Sequence, residues 1–299
     1  MTEEQIFREL SAFFIRGDVA GAMKYMEKIP ELGEYLAPYA DLFGRENYMR
    51  YDVPHELNGI LLVYQRYFRD VFYLGIVENE ASAVLLDRLR ETLNMPNADE
   101  IELSEELQRR FERAGYHFLG GKTNGHYGPY VWKTTTPATY TVELTDTVSE
   151  YTVNILSGFI MRSWMDYLTF GEKGTGGWTS PDGTINCVES AYDFESERFK
   201  ISLLKHEARH AEDMKRWKNI EPWQLEYRAK LTELVYTSGA NLLQKFMSEA
   251  DGGSKENSHA YASARIAEKL GAYAEAEIPL IQQQAKILLE ESTSEMEEN

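Results

Sequence analysis

Five consecutive residues spell the pattern His-Glu-x-x-His inside a segment whose periodicity predicts an amphipathic helix. His206 and His210 stand four positions apart, so their imidazoles project from one helix face and can bind one metal ion. Glu207 lies beside that face, where a carboxylate can take a proton from a metal-bound water. The chain has only six histidines, and chance produces this pattern in roughly one such chain in a hundred. The pattern therefore predicts a metal centre with a neighbouring base.

The composition narrows the class of protein. A chain of 299 residues, 43% of them hydrophobic, allows one large domain or two ordinary ones with a real core. The net charge of −18 disfavours nucleic acid and anionic membranes as partners, because both repel an acidic chain. No apolar run approaches the roughly 20 residues of a spanning helix, so no membrane insertion is expected. The N-terminus lacks the layout of a secretory signal, and the single cysteine, Cys187, excludes an internal disulfide. We therefore expect a cytoplasmic protein.

The character of the sequence changes near residue 113. Apolar residues recur at helical spacing before this point, beginning with Phe7, Leu10 and Phe14, and predict a helical N-terminal domain over residues 1–113. Its first helix-turn-helix is similar to one tetratricopeptide-type unit, with no second copy at the same period. This domain is therefore a candidate for docking a protein partner.

Residues 114–299 predict a second domain that mixes strands and helices. Glycine, threonine and tyrosine are frequent over residues 116–144 and predict hairpin strands, of which Thr139–Leu144 is the clearest. A long helix is predicted over Ser149–Thr169. A glycine-rich loop then leads into a predicted strand, Thr184–Val188. Together with the N-terminal helices, these strands predict an α+β protein with a small mixed sheet.

The helices of the second domain follow the strands. The motif helix is predicted over about Glu195–Trp217, and a further helix begins at Pro222, since proline favours the first helical position. A last helical region covers about Asn257–Leu289. Residues 290–299 predict a frayed tail.

The motif helix has two distinct faces. One face, expected to pack on the sheet, carries Ile201, Leu204, Ala208 and Ala211. The adjacent stripe, expected to face a cleft, carries His206, His210, Asp213 and Trp217. A catalytic zinc keeps three protein ligands plus water, whereas a structural zinc takes four. Metalloproteases of the metzincin type place a third histidine six residues after the second. Arg216 stands there in this chain, so that pattern is excluded.

The segment from about Thr139 to Leu234 resembles the gluzincin class of zinc metallopeptidases. The resemblance lies in the motif and in the predicted order of a strand, a backing helix, an edge strand, the active-site helix and a glutamate-bearing helix. It implies that the two motif histidines and Glu226 bind zinc, with Glu207 as general base. Glu233, two helical turns beyond Glu226, is the alternative third ligand. The residues flanking Glu226 depart from the thermolysin pattern, so the thermolysin family proper is not expected.

The chemistry that this resemblance implies is metal-assisted hydrolysis of a peptide bond. Glu207 would remove a proton from water and deliver it to the leaving amine. The developing oxyanion needs a hydrogen-bond donor besides zinc. The candidates for that role are His259, Tyr261 and Tyr236, and the resemblance favours His259. Asp213 would orient a motif histidine through its outer nitrogen, or instead pair with a neighbouring arginine.

The resemblance also suggests where a substrate binds. The glycine-rich loop 174–178 and the strand Ile185–Val188 precede the active-site helix, and an edge strand there would pair with an extended peptide. Trp178 would then line a subsite. Two alternative functions stay open. One is a helical interaction protein with a structural or vestigial zinc site, and the other is a metal-dependent hydrolase of non-peptide amides.

Overall fold

The computed structural model describes residues 2–239 and 241–298 and confirms a mixed α+β protein. The chain forms two compact units. One comprises Met1–Thr134 with Gly158–Gly174, and the other comprises Thr135–Ser157 with Thr175–Asn299. In the described part of the chain, no helix is both long and apolar enough to cross a membrane.

The helices are numbered in chain order. They are α1 (Glu3–Ile15), α2 (Val19–Met26), α3 (Gly33–Tyr39), α4 (His55–Phe68), α5 (Glu78–Leu93), α6 (Glu100–Arg113), α7 (Ser163–Leu168), α8 (Glu197–Phe199), α9 (His206–Arg216), α10 (Pro222–Tyr236), α11 (Asn241–Ser248), α12 (Ser258–Leu270) and α13 (Ile278–Glu298). Short π-helical segments follow α3, α4 and α8, at Ala40–Gly44, Arg69–Tyr73 and Lys200–Lys205. Single 3-10 turns lie at Pro30–Leu32, Glu189–Ala191 and Gly271–Tyr273.

The strands are short except for two. They are β1 (His117–Leu119), β2 (Lys122–Thr123), β3 (His126–Tyr127), β4 (Tyr130–Trp132), β5 (Thr134–Glu143), β6 (Val148–Ser157), β7 (Met161–Arg162), β8 (Gly177–Thr179) and β9 (Ile185–Val188).

The first unit is built from α1 to α7 and two small sheets. β1, β4 and β7 form one antiparallel sheet, and β2 pairs with β3. Its core is rich in large apolar side chains. Among them are the fully buried aromatic residues Tyr67, Phe68 and Phe111. The unit therefore extends past the predicted boundary at residue 113. The reason is that Phe118 of β1 stacks on Phe111 of α6, with 4.9 Å between the ring centroids.

The second unit is organised around a four-stranded sheet in the order β5-β6-β9-β8. β9 runs parallel to β6 and antiparallel to β8, and the register pairs Val153 with Ile185 and Thr179 with Ile185. The predicted strands Thr139–Leu144 and Thr184–Val188 correspond to β5 and β9 and are confirmed in their main part. Val153 and Ile185 are fully buried under the helix that carries the motif.

The predicted long helix over Ser149–Thr169 is wrong. Its first part, to Ser157, is β6, and only Ser163–Leu168 is helical. The alternation of exposed Thr152 with buried Tyr151 and Val153 explains the strand, because side chains of a strand point to opposite faces in turn. β-branched and aromatic residues also favour an extended backbone.

The remaining helices of the second unit pack on one another. α10 begins at Pro222, as predicted, and Glu221 and Gln224 form a reciprocal cap at its start. A third apolar core, which includes Leu231, Phe246 and Ile281, joins α10, α11, α12 and α13. The predicted frayed tail over residues 290–299 is wrong for its described part, because α13 continues to Glu298.

Candidate metal centre

The motif opens helix α9. A π-helical segment, Lys200–Lys205, precedes it without a break in the helical chain, and such segments often occur at functional sites. Ala208 and Ala211 turn to the sheet and are fully buried there with Leu204, as predicted. Small side chains let the helix approach the sheet closely. The opposite stripe of α9 then faces α10.

Three side chains of α9 and α10 meet in one cluster. Nε2 of His206 lies 3.5 Å from Oε2 of Glu226, and Nε2 of His210 lies 3.4 Å from Oε1 of the same carboxylate. The two imidazole rings stand perpendicular, with 4.6 Å between their centroids. Both histidines are buried. The structure therefore brings together the two motif histidines and the glutamate predicted on the following helix.

The donor set of this cluster fits a metal ion. One ligand atom from each of His206, His210 and Glu226 lies within 4.8 Å of the others, so one ion could be held by all three. Oε2 of Glu226 is buried and lies 2.8 Å from Nδ1 of His259. A buried carboxylate oxygen is costly unless a cation or a donor reaches it. Two imidazole nitrogens with one carboxylate oxygen match the three-ligand sets of catalytic zinc sites.

A second carboxylate holds the outer nitrogen of one histidine. Oε1 of Glu233 lies 2.7 Å from Nδ1 of His206, and both side chains are buried. Glu233, the alternative third ligand, thus contacts the histidine on the side away from Glu226. Carboxylates in this position commonly fix the tautomer and the ring orientation of metal-binding histidines. The sequence signal for Glu233 is its seven-residue spacing from Glu226, which places both on one face of α10.

The two carboxylates shift the pKa values within the cluster. Burial lowers the pKa of His206, but its hydrogen bonds with Glu226 and Glu233 outweigh burial and raise that pKa well above 6.5. For Glu226, burial raises the pKa, and the hydrogen bonds of His206, His210 and His259 reverse this effect and hold it well below 4.5. The metal-free cluster is therefore an ion-paired group in which His206 retains its proton.

Glu207, the predicted base, is buried and follows His206 directly in α9. Its carboxylate is hydrogen-bonded by the hydroxyl of Thr179, with 2.8 Å between Oγ1 and Oε2. Thr179 ends strand β8, at the edge of the sheet. The sequence reasoning missed Thr179, because the contact joins residues 28 positions apart and only the strand register brings them together.

The candidate oxyanion donors lie in different places. His259, in the first turn of α12, reaches the cluster, with its Nδ1 2.8 Å from Oε2 of Glu226, while 65% of its side chain is exposed. Tyr261 packs edge-on against Trp223, with ring centroids 5.3 Å apart. The ring of Tyr236 lies under the Lys205 ammonium, 3.6 Å from the ring centroid. Of the three, only His259 contacts a residue of the cluster.

Asp213 does not orient either motif histidine, so that prediction is wrong. Its two oxygens accept hydrogen bonds from Arg228, at 2.7 and 3.2 Å, and it also pairs with Arg209 at 2.9 Å. The alternative pairing with Arg209 is therefore confirmed, although the pair is buried rather than on the surface. The two buried guanidinium groups already compensate the charge of the Asp213 carboxylate, so it needs no imidazole as a partner.

Trp178 lies in strand β8, and Tyr192 packs against Gly176, just before that strand. By strand alternation, Trp178 is on the face of β8 opposite to Thr179. Tyr192 was missed from the sequence, and a side chain at Gly176 would collide with its hydroxyl, 2.6 Å from the Cβ position. Burial raises the pKa of Tyr192 to about 12, so this hydroxyl stays protonated at neutral pH and can donate a hydrogen bond.

A cavity of about 570 Å³ lies at the start of α10. Aromatic Trp217, Trp223 and Tyr227 line it together with the basic side chains of Arg265 and Lys269. Trp217 thus faces this cavity rather than the metal cluster, and no member of the cluster lines it.

Comparison with known proteins returned no similarity: no protein-family model matches the chain, and no curated protein or solved structure matches it significantly.

Proposed function

We propose that this protein is a zinc-dependent peptidase with the ligand arrangement of the gluzincins. The observation that carries the proposal is the cluster of His206, His210 and Glu226, with the buried Glu207 next to His206 on the same helix. A purely structural metal site has no use for such a carboxylate beside it. Zinc is the metal proposed, because imidazole nitrogens with one carboxylate and an open position are typical of catalytic zinc.

The ligands would be His206, His210 and Glu226, with Glu233 fixing the ring of His206. When bound, zinc lowers the pKa of its water ligand to about 7 and polarises the carbonyl of the scissile bond. Glu207 takes the proton from the attacking water and later transfers it to the leaving amine nitrogen. The exposed imidazole of His259, whose Nδ1 lies 2.8 Å from Oε2 of Glu226, would donate to the developing oxyanion.

The proposed substrate is a peptide in extended conformation. β8 is the last strand of its sheet within the described residues. A strand in this position can pair with an extended peptide through backbone hydrogen bonds. Thr179 of the same strand forms a hydrogen bond with the proposed base, Glu207. A peptide added to β8 would therefore lie beside Glu207.

Zinc content and a single substitution test this function. Protein purified without chelator should contain close to one zinc per chain, and His206→Ala should lose most of it. Glu207→Gln should keep the zinc and lower peptide hydrolysis by roughly 10²- to 10⁴-fold, the usual contribution of a general base. Glu212→Gln, on the same helix but bonded to Tyr151, is the matched control and should keep wild-type turnover. Cleavage of a randomised peptide library measures hydrolysis.

Two results would contradict the proposal. Absence of zinc, with no uptake on reconstitution, would remove the metal. A zinc-loaded protein that cleaves no member of the library would instead favour a structural or vestigial site. Cleavage of small amides in place of peptides would keep the chemistry and change the substrate class.

A further inference from the structure

Among the described residues, the carboxylate of Glu207 has one hydrogen-bond partner, the hydroxyl of Thr179. Oγ1 of Thr179 lies 2.8 Å from Oε2 of Glu207 and 2.9 Å from its backbone carbonyl oxygen. Within the described residues, no other group forms a hydrogen bond with this side chain. Glu207 is 7% exposed, so water has little access to replace a lost partner. The position of the carboxylate therefore depends on a single hydroxyl.

The backbone around Thr179 is built for this contact. Residues 177 and 179 share one face of β8, the face toward the helical chain that carries the motif. A Cβ at Gly177 would collide with Cδ1 of Leu203 and lie 2.6 Å from the carbonyl oxygen of Asn186. Only glycine allows the strand to approach this closely. The register then places Thr179 opposite the fully buried Ile185, which anchors it.

We propose that Thr179 is the positioning residue for Glu207, holding the carboxylate of the base at the metal cluster. This inference rests on the proposed function. The side chain of a glutamate has three rotatable bonds, and a hydrogen bond from a rigid strand selects one arrangement among them. A displacement of about 1 Å in a reacting group lowers rates roughly 100-fold. Positioning by Thr179 therefore affects the rate of the chemical step rather than substrate binding.

The hydroxyl of Thr179 can form a hydrogen bond with both the ionised and the protonated side chain of Glu207. While Glu207 is ionised, the Thr179 hydroxyl donates to Oε2. After the carboxylate has taken the proton of water, its O–H donates to Oγ1, and the hydroxyl proton turns to the backbone carbonyl 2.9 Å away. A hydroxyl is both donor and acceptor, whereas an ammonium only donates. The carboxyl group thus stays in place until its proton passes to the leaving amine.

Three variants test this role. Thr179→Val keeps the shape of the side chain and removes the hydroxyl, Thr179→Ser keeps the hydroxyl, and Glu207→Gln removes the base. The substrate is the fastest-cleaved member of a randomised peptide library. We expect Thr179→Val to lower kcat by roughly 10- to 100-fold with KM within about threefold of wild type. Thr179→Ser should stay within about threefold of wild type in both constants.

Structure provides a second readout that does not require turnover. In crystals of the Thr179→Val variant, we expect the Glu207 carboxylate to move by about 1 Å or more from its wild-type place. Zinc content and thermal stability should match wild type, because Thr179 contacts no metal ligand. If the valine variant fails to fold or to hold zinc, Thr179→Ala is used in its place. Alanine is smaller than threonine and introduces no steric clash.

The outcomes separate this inference from the proposed function. Undiminished hydrolysis by Glu207→Gln would overturn the proposed function itself. A strong loss in Glu207→Gln with wild-type kcat in Thr179→Val would overturn only the role of Thr179. Equal losses in Thr179→Val and Thr179→Ser would show that the hydroxyl is not the feature that matters, and would overturn it too. An unmoved Glu207 in the valine variant contradicts positioning.

Discussion

Nδ1 of His206 lies 2.7 Å from Oε1 of Glu233, and neither side chain is more than 10% exposed. A carboxylate so close to Nδ1 keeps a proton on that nitrogen and turns Nε2 toward Glu226 and His210. The contact thus orders the cluster before any ion binds. It also spans two helices, since His206 opens α9 and Glu233 lies in the fourth turn of α10.

Replacing Glu233 tests this ordering. We expect Glu233→Gln to weaken zinc binding by roughly 10- to 100-fold, the usual effect of removing a carboxylate behind a metal-binding histidine. Competition with a chromophoric chelator measures the affinity. Glu195→Gln, which removes an exposed carboxylate paired with Lys200, is the matched control and should not change it. Equal zinc affinities for the Glu233 variant and wild type would show that Glu233 does not contribute to zinc binding.

Metal uptake should release a proton. The neighbouring carboxylates raise the pKa of His206 well above 6.5, so the metal-free protein keeps this imidazole protonated to a higher pH than a free imidazole. A metal ligand must be deprotonated, so zinc has to displace that proton. We expect this proton to be released in addition to the fraction that the zinc-bound water loses. Calorimetry in buffers of different ionisation enthalpy counts the protons, and release near zero would contradict the raised pKa.

Acid should destabilise the metal-free protein through Glu226. The folded-state pKa of this carboxyl is well below 4.5, despite burial, because His206, His210 and His259 bond to it. A depressed pKa stabilises the fold above the unfolded value, and this contribution is lost as the pH falls through the folded pKa. We therefore expect Glu226→Gln to show a shallower loss of stability below pH 4.5 than wild type. Urea titrations at several pH values measure it, and parallel pH profiles would contradict the depressed pKa.

The parts of the site that can be predicted from sequence are those set by helical periodicity. His206 and His210 share a face because they are four residues apart on one helix. Pro222 marks the start of the next helix, and the resemblance to the gluzincins then selects Glu226 in its second turn. These inferences use helical spacing and the family resemblance, and the contact between the two helices agrees with them.

The parts that cannot be predicted depend on pairings between distant segments. The extended form of β6 shows this, because its alternating Tyr151 and Val153 are buried only once β9 and α9 cover them. Thr179 reaches Glu207 through the register of β8 on β9. Asp213 binds Arg228 rather than a histidine, because the guanidinium of Arg228 on α10 donates two hydrogen bonds to it. None of these partners is visible in the local sequence.

Arg228 anchors the C-terminal helix and provides a test of stability. It is fully buried with Asp213 and lies 4.7 Å above the ring of Trp217. Its Nη1 also donates to the carbonyl oxygen of Leu289 and to the hydroxyls of Ser292 and Thr293, the last at 3.0 Å. These bonds explain why α13 stays helical where a frayed tail was predicted.

Removing this side chain should therefore affect both the fold and the helix end. Arg228→Ala leaves Asp213 buried with only Arg209 as partner, and we expect a loss of about 3–5 kcal/mol in the free energy of unfolding. Urea denaturation measures this loss, and limited proteolysis should cut within residues 290–298 earlier than in wild type. Lys215→Ala, whose side chain is 58% exposed, is the control and should cost less than about 0.5 kcal/mol. If Arg228→Ala and the control have the same free energy of unfolding, the apolar face of α13 alone holds that helix in place.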